Sequence, residues 1–249
     1  MIYICIPTYN EGSTIGVLLW RIRRVFQDYS REYEIIVYDD ASTDATLETL
    51  QPYADVIPLT IIRGETRKGY GFALEKLCRE VSRRTRYARR DAAIVMQADF
   101  TDQPEYIPEL VKRFEGGADI VAAQQLLAEA PPQVRALRRL AGWIQRADIP
   151  KSEGADPFTT FRIYRISVLR ELLKSLGEKP LITTSGWAAN VELLLRTTRF
   201  ARRVETIELA PRYDLRTRES RVRPFKDALG LYLFSRRARL LAAPAGGVA

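Results

Sequence analysis

The segment "MQADFTDQPE", residues 96–105, places Asp99 and Asp102 close together just after the apolar run "AAIVM". Two acids at the tip of a buried strand are a common way to hold a divalent cation, since hard ions such as Mg2+ take oxygen ligands, often one or two carboxylates plus phosphates. The position two before Asp99, where a second carboxylate would help most, is Gln97, whose amide oxygen can ligate but brings no charge. Three other loops share this character: "PTYNEGS" (7–13), "DDASTD" (39–44) and "RGETRKGYG" (63–71). In an open parallel sheet, ligands bind at the carboxyl ends of the strands, near a switch in strand order. Polar clusters after successive strands therefore point to one shared cleft. Read singly, each loop is ordinary turn chemistry, since Asp, Ser, Asn and Gly populate any turn.

The elements that must position these loops alternate regularly. Residues 2–6, 34–40, 56–64, 92–99 and 118–125 read as short, continuously apolar strands. Between them, residues 13–29 carry Ile15, Leu18, Leu19, Ile22 and Val25 at helical spacing, and 44–53 (with Asp44 as its cap), 71–84 and 104–117 also read as helices. Apolar strands alternating with helices predict an α/β fold with a mostly parallel central sheet and helices on both faces. The second half is less regular. Residues 131–147 read as a basic amphipathic helix, 158–165 and 202–213 as strands, 167–177 and 186–200 as helices, and 218–241 as a long helix interrupted near Pro224. With no repeat and no clear linker, 1–249 is expected to be one domain with a core half (1–125) and a specialised half (126–249).

Composition removes several function classes. The chain has 249 residues and no histidine, which excludes histidine zinc sites and histidine-dependent triads. Cys5 and Cys78 both sit in apolar patterns, so no disulfide framework is implied and a reducing cytosol fits. The opening residues lack a charged n-region, and no apolar run approaches the ~20 residues that span a bilayer. A cytoplasmic location is expected, soluble or on the inner membrane face. The net charge of +8 suits anionic partners, although the codon bias of a GC-rich genome would produce the same arginine excess. No nucleic-acid recognition motif is present.

The segments "IPTYNEGSTI", "VYDDASTDAT", "RKGYGFAL" and "QADFTDQPE" resemble the family two glycosyltransferases, nucleotide-sugar enzymes of the GT-A fold, and within them the polyprenyl-phosphate sugar transferases. "TTFRIYRISVL" and "RESR" (218–221) extend the resemblance less specifically. It implies an inverting transfer of a sugar from a nucleoside-diphosphate sugar to a polyprenyl phosphate. Pro7, Tyr9 and Glu11 would wrap the nucleobase and ribose, and Asp39 and Asp40 would accept hydrogen bonds from them. Lys68 would reach the base or a phosphate, and Gln97, Ala98 and Asp99 would face the diphosphate. Asp99 and Gln97 would hold Mg or Mn.

The family pattern at this strand end is Asp-x-Asp, and Gln97 departs from it. Three arrangements stay open: metal held by Asp99 and neutral oxygens with help from Asp102, arginines in place of metal, or a protein that binds nucleotide without catalysis. A phosphate acceptor is already ionised and needs cations instead of a base. Arg162, Arg138, Arg139, Arg218, Ser220 and Arg221 are the candidates for holding it. A hydroxyl acceptor needs a carboxylate base, for which Glu192 is the candidate; alternatively Glu192 is an exposed helix residue. Phe225, Leu229 and Tyr232 share a helical face among basic residues, which suits either an anionic membrane or the domain's own core.

Overall fold

The computed structural model describes residues 1–125 and 157–209, together with scattered helical positions between 132 and 139 and between 225 and 236. Seven strands form one sheet in the order β3-β2-β1-β4-β6-β5-β7. They are β1 (Ile2–Thr8), β2 (Tyr33–Asp39), β3 (Leu59–Arg63), β4 (Ala92–Val95), β5 (Ile120–Gln125), β6 (Arg162–Arg165) and β7 (Val204–Leu209). Only β6 runs antiparallel, between β4 and β5; every other pairing is parallel. The chain moves outward from β1 to β3, then returns to β4 on the other side of β1. That reversal opens a crevice between the ends of β1 and β4, where ligands bind in such sheets.

The alternation along β1 shows why the strand is continuously apolar. Ile2, Ile4 and Ile6 pack on one face with Ile15, Leu18, Leu19 and Ile22 of α1 (Ile15–Asp28). Tyr3 and Cys5 pack on the other with Leu74, Leu77 and Cys78 of α3 (Tyr70–Arg84). Both faces are covered, so neither set of side chains can be polar. Both cysteines are free and buried, and burial pushes the Cys78 thiol up to about 12. The remaining helices are α2 (Thr46–Ala54), α4 (Ile107–Glu115), α5 (Ile166–Leu176) and α6 (Trp187–Thr198).

Some elements are shorter than the sequence pattern predicts. The strand expected over 92–99 ends at Val95, because the Gln97 amide turns away to donate to Asp102 Oδ2 at 2.8 Å. The helix expected over 104–117 begins with a separate 3-10 turn, Pro104–Tyr106, followed by α4. The strand expected over 158–165 covers only Arg162–Arg165. The expected helices over 131–147 and 218–241 fall mostly outside the described residues, although 132, 135, 136 and 139 and several positions from 225 to 236 are helical. Among the described residues no helix is long and apolar enough to cross a membrane.

One close approach joins the two halves. A Cβ on Gly71, in the first turn of α3, would lie 2.4 Å from the Thr184 carbonyl oxygen. Backbone cannot yield as a flexible side chain does, so Gly71→Ala is expected to cost about 1–3 kcal/mol of stability. Urea unfolding should show a lower midpoint at unchanged slope.

Candidate active site

The loops after β1 and β2 are stitched to each other. Asn10, at a positive φ of 52°, donates its amide to Ser42 Oγ (2.8 Å) and accepts from the Thr43 amide (2.9 Å). The Glu11 amide donates to Thr46 Oγ1 at 2.9 Å. Asp44, expected to cap α2, lies one residue before the N-cap position, which is Ala45 and makes no side-chain cap bond; Asp44 binds the neighbouring loop. It accepts from the amides of Gly12 (3.0 Å) and Thr46 (3.1 Å) and from the Thr46 hydroxyl. Burial raises the Asp44 pKa, and these hydrogen bonds outweigh it, so the carboxyl sits below its usual range.

Asp39 and Asp40 end β2, both buried, with different partners. Asp39 Oδ1 accepts from the Ser42 amide at 3.1 Å. Asp39 Oδ2 lies 3.8 Å from Arg63 Nε and accepts no hydrogen bond. Asp40 accepts from the amides of Lys68 (2.8 Å) and Gly69 (2.7 Å), so it holds the loop after β3 against the end of β2. Gly69 sits at φ 94°, a conformation that glycine adopts without steric cost. The grip brings the Arg67 guanidinium over the Tyr9 ring, 3.9 Å from its centroid, and the exposed Lys68 ammonium within 4.7 Å of the Phe72 centroid. Pro7 is half-buried and Glu11 is buried.

Across the crevice, residues 96–102 turn sharply after β4. Phe100 has φ 63°, unusual for a bulky side chain and concentrated in structures at functional sites. Asp99 Oδ1 accepts from the Thr101 amide at 3.1 Å. Ala98, Asp99 and Asp102 are buried, and Gln97 is half-buried. Gln97 Nε2 donates to Thr160 Oγ1 at 2.7 Å, tying this segment to the second half of the chain. No group of three or more acidic or thiol ligands exists among the described residues. The donors here are a carboxylate and an amide oxygen, both hard; they suit Mg or Mn when substrate phosphates complete the shell.

Arg162 is buried on β6, where Nη1 donates to the Asn190 carbonyl (2.8 Å) and to the Tyr164 hydroxyl (3.2 Å). Asn190 also accepts from the Tyr70 hydroxyl at 2.6 Å and donates to Thr160 at 3.2 Å. Tyr70, Thr160 and Asn190 therefore link Gln97 to Arg162. Burial raises the Tyr70 phenol, keeping it a neutral donor. Sequence reasoning missed all three: Tyr70 and Thr160 lie within segments that carry the family resemblance, yet their partners are distant in the chain, and Asn190 among apolar helix residues carries no spacing signal. Glu192 is neither exposed nor open: it is fully buried and accepts from the amides and hydroxyls of Thr183 and Thr184 while pairing with Arg196 at 2.7 Å. Arg139 is helical and exposed, whereas Arg138, Arg218, Ser220 and Arg221 lie outside the described residues.

The glycosyl transferase family 2 model matches residues 3–173. The chain belongs to that family. A dolichol-phosphate mannosyltransferase of Pyrococcus furiosus is 36% identical over 117 residues, covering 47% of this chain and 31% of the relative. An undecaprenyl-phosphate 4-deoxy-4-formamido-L-arabinose transferase of Pseudomonas aeruginosa is 28% identical over 176 residues, covering 70% of this chain and 49% of the relative. The chain thus spans at most about half the length of these curated relatives. Glucosyl-3-phosphoglycerate synthase of Mycobacterium tuberculosis, solved with Mn2+ and UDP-glucose, superposes with a TM-score of 0.67 at 20% identity, over 100% of this chain and 81% of that one. TarS of S. aureus, solved with UDP, superposes with a TM-score of 0.58 at 16% identity, over 98% of this chain and 67% of that one. These likenesses establish the GT-A fold for this family 2 chain.

Asp40 is central to the loop geometry of this family 2 site. Asp40→Asn keeps one acceptor and turns the other into a donor facing an amide. A charge-assisted bond of this kind is worth about 1.5–3 kcal/mol, and chemical denaturation of the variant should show a loss in that range.

Proposed function

We propose that this chain is an inverting glycosyltransferase that moves a sugar from a nucleoside-diphosphate sugar to a polyprenyl phosphate at the cytosolic face of a membrane. The observation that carries this reading is the convergence, at one switch-point crevice, of Asp39, the Lys68 loop gripped by Asp40, and the turn bearing Asp99. The names of the two curated relatives support a polyprenyl phosphate as the acceptor class. The UDP and Mn2+ in the superposed structures support a nucleotide-diphosphate donor.

In this reading Pro7, Tyr9 and Glu11 wrap the base and ribose, and Asp39 Oδ2 accepts a hydrogen bond from the nucleoside. Lys68 offers its ammonium to the diphosphate. Asp99, with the neutral Gln97 oxygen beside it, would hold Mg or Mn, whose charge offsets that of the departing nucleoside diphosphate. The acceptor phosphate is its own nucleophile. It asks the protein for positive charge, which Arg162 and the basic residues Arg138, Arg139, Arg218 and Arg221, with Ser220, supply.

The carboxyl-terminal segment suits a lipid-borne acceptor. Phe225, Leu229, Tyr232 and Leu233 are helical and exposed at 84%, 57%, 43% and 50%, with a spacing that puts them on one face. Arginines and a lysine flank them in the sequence, the combination that binds an anionic bilayer surface.

Calorimetry with UDP and GDP, each with and without Mn2+, tests the donor site. One nucleotide should bind, more tightly with Mn2+, and Asp99→Ala should abolish the metal dependence. Binding of neither nucleotide would overturn the donor assignment, and binding without transfer to a polyprenyl phosphate would mark a nucleotide-binding protein that has lost catalysis. Sedimentation with vesicles tests the surface: the chain should pellet with anionic but not neutral lipid, and Phe225→Asp with Leu229→Asp should leave it in the supernatant.

A further inference from the structure

Four successive residues ahead of α6 give their backbone amides to two glutamates. Leu181 and Ile182 donate to Glu75 Oε2 at 3.0 and 3.2 Å, and Thr183 and Thr184 donate to Glu192 Oε2 at 2.9 Å each. Each glutamate is paired with an arginine one turn later on its own helix: Glu75 with Arg79 on α3, and Glu192 with Arg196 on α6, both at 2.7 Å. Each arginine in turn reaches a carbonyl just upstream, Arg79 to Lys179 (3.1 Å) and Arg196 to Pro180 (3.3 Å). Residues 179–184 are thus gripped from two helices by the same device, one Glu–Arg pair from each.

The gripped segment leads straight to the crevice. Its Thr184 carbonyl abuts Gly71, two residues beyond the Gly69 amide that Asp40 holds. Gly186 turns the chain at φ 58°, and Trp187 packs against Phe158 with ring centroids 6.2 Å apart. Phe158 is two residues from Thr160, the partner of Gln97. Residues 185–187 therefore lie between the Lys68 loop and the Gln97 turn, with Ser185 exposed.

We infer that the Glu75–Arg79 and Glu192–Arg196 pairs form a clamp that fixes Ser185, Gly186 and Trp187 as the acceptor-side wall of the crevice, and that Glu192 is a positioning residue and not a proton acceptor. An ionised carboxylate offers roughly four acceptor sites, and Glu192 already meets two amides, two hydroxyls and a guanidinium. No site is left for an acceptor hydroxyl. Glu192 is fully buried while Arg196 stays part-exposed, so the desolvation of the carboxylate offsets much of the attraction and the pair is a poor source of net stability. What the arrangement does fix is the path of the segment it holds. The kinetic half of this inference rests on the proposed transfer reaction; the clamp itself does not.

Two measurements on the full chain separate these possibilities, using Glu192→Gln and Glu75→Gln. The first is amide hydrogen exchange over residues 181–187. Both variants should exchange there roughly tenfold faster, as expected for the loss of about one charge-assisted bond, with the central strands unchanged. Unchanged protection in both would overturn the clamp whether or not the chain transfers sugar. The second is steady-state transfer to geranyl phosphate across pH. Both variants should raise the acceptor KM by up to about 100-fold, the cost of a misplaced wall, while the acid limb of the kcat/KM profile stays in place. A base would behave differently: Glu192→Gln would lower kcat by about 10²–10⁴-fold and remove the acid limb while Glu75→Gln stayed near wild type, and that result would overturn the positioning role.

Discussion

The loops at the carboxyl ends of parallel strands carry backbone amides that no neighbouring strand can accept, and a buried amide without a partner is costly. In this chain carboxylates meet that need. Asp39 takes the Ser42 amide, Asp40 those of Lys68 and Gly69, Asp44 those of Gly12 and Thr46, Asp99 that of Thr101, and Asp102 that of Gln97. Glu75 and Glu192 do the same for residues 181–184. A hydrogen bond to a charged group contributes about 1.5–3 kcal/mol, more than a neutral one. The acids of the crevice therefore first decide where its walls stand.

That geometry has a direct consequence for chemistry. Donors and acceptors aimed in advance at a reacting centre need no reorganisation when charge develops there. The amide bonds of Asp40 hold the Lys68 loop against the end of β2, with the Arg67 guanidinium over Tyr9 and the Lys68 ammonium over Phe72. Asp39 keeps one oxygen outside this scheme, 3.8 Å from Arg63 Nε. The same acids thus fix the frame and leave specific atoms to meet a ligand.

The alternation of apolar strands and helices through residue 125 was legible because both faces of the sheet are covered, which writes its pattern directly into residue type. The strand ends were legible as polar clusters, and the loops after β1, β2 and β3 are hydrogen-bonded to one another. Partners were not legible, because they are distant in sequence. Asp40 meets Lys68 and Gly69 across 28 and 29 residues, and Glu75 meets Leu181 across 106. An acid that caps a distant loop looks the same in sequence as an acid that binds a ligand. Glu192 is the clearest instance: a glutamate among Val191, Leu193 and Leu194 reads as a base or a surface residue, and only the fold reveals Thr183 and Thr184 beneath it. The segment 158–161 read as strand because its residues are β-formers, yet Thr160 turns its hydroxyl to Gln97 and Asn190 and the ladder begins only at Arg162.

Gln97 sits where these constraints meet. Its side-chain amide donates to Thr160 Oγ1, which also accepts from Asn190 Nδ2. An aspartate at 97 has no proton to give and a shorter reach, so it would forfeit this link unless the Thr160 hydroxyl reversed its role. The neutral side chain therefore ties the turn after β4 to the network that ends at Arg162. Removing one carboxylate from such a site weakens its pull on a divalent ion and at the same time lowers its repulsion of a bare anion. The network that Gln97 joins runs on through Thr160 and Asn190 to the buried Arg162 guanidinium. The substitution that looks in sequence like the loss of a ligand is, in the fold, the connection between the two halves of the crevice.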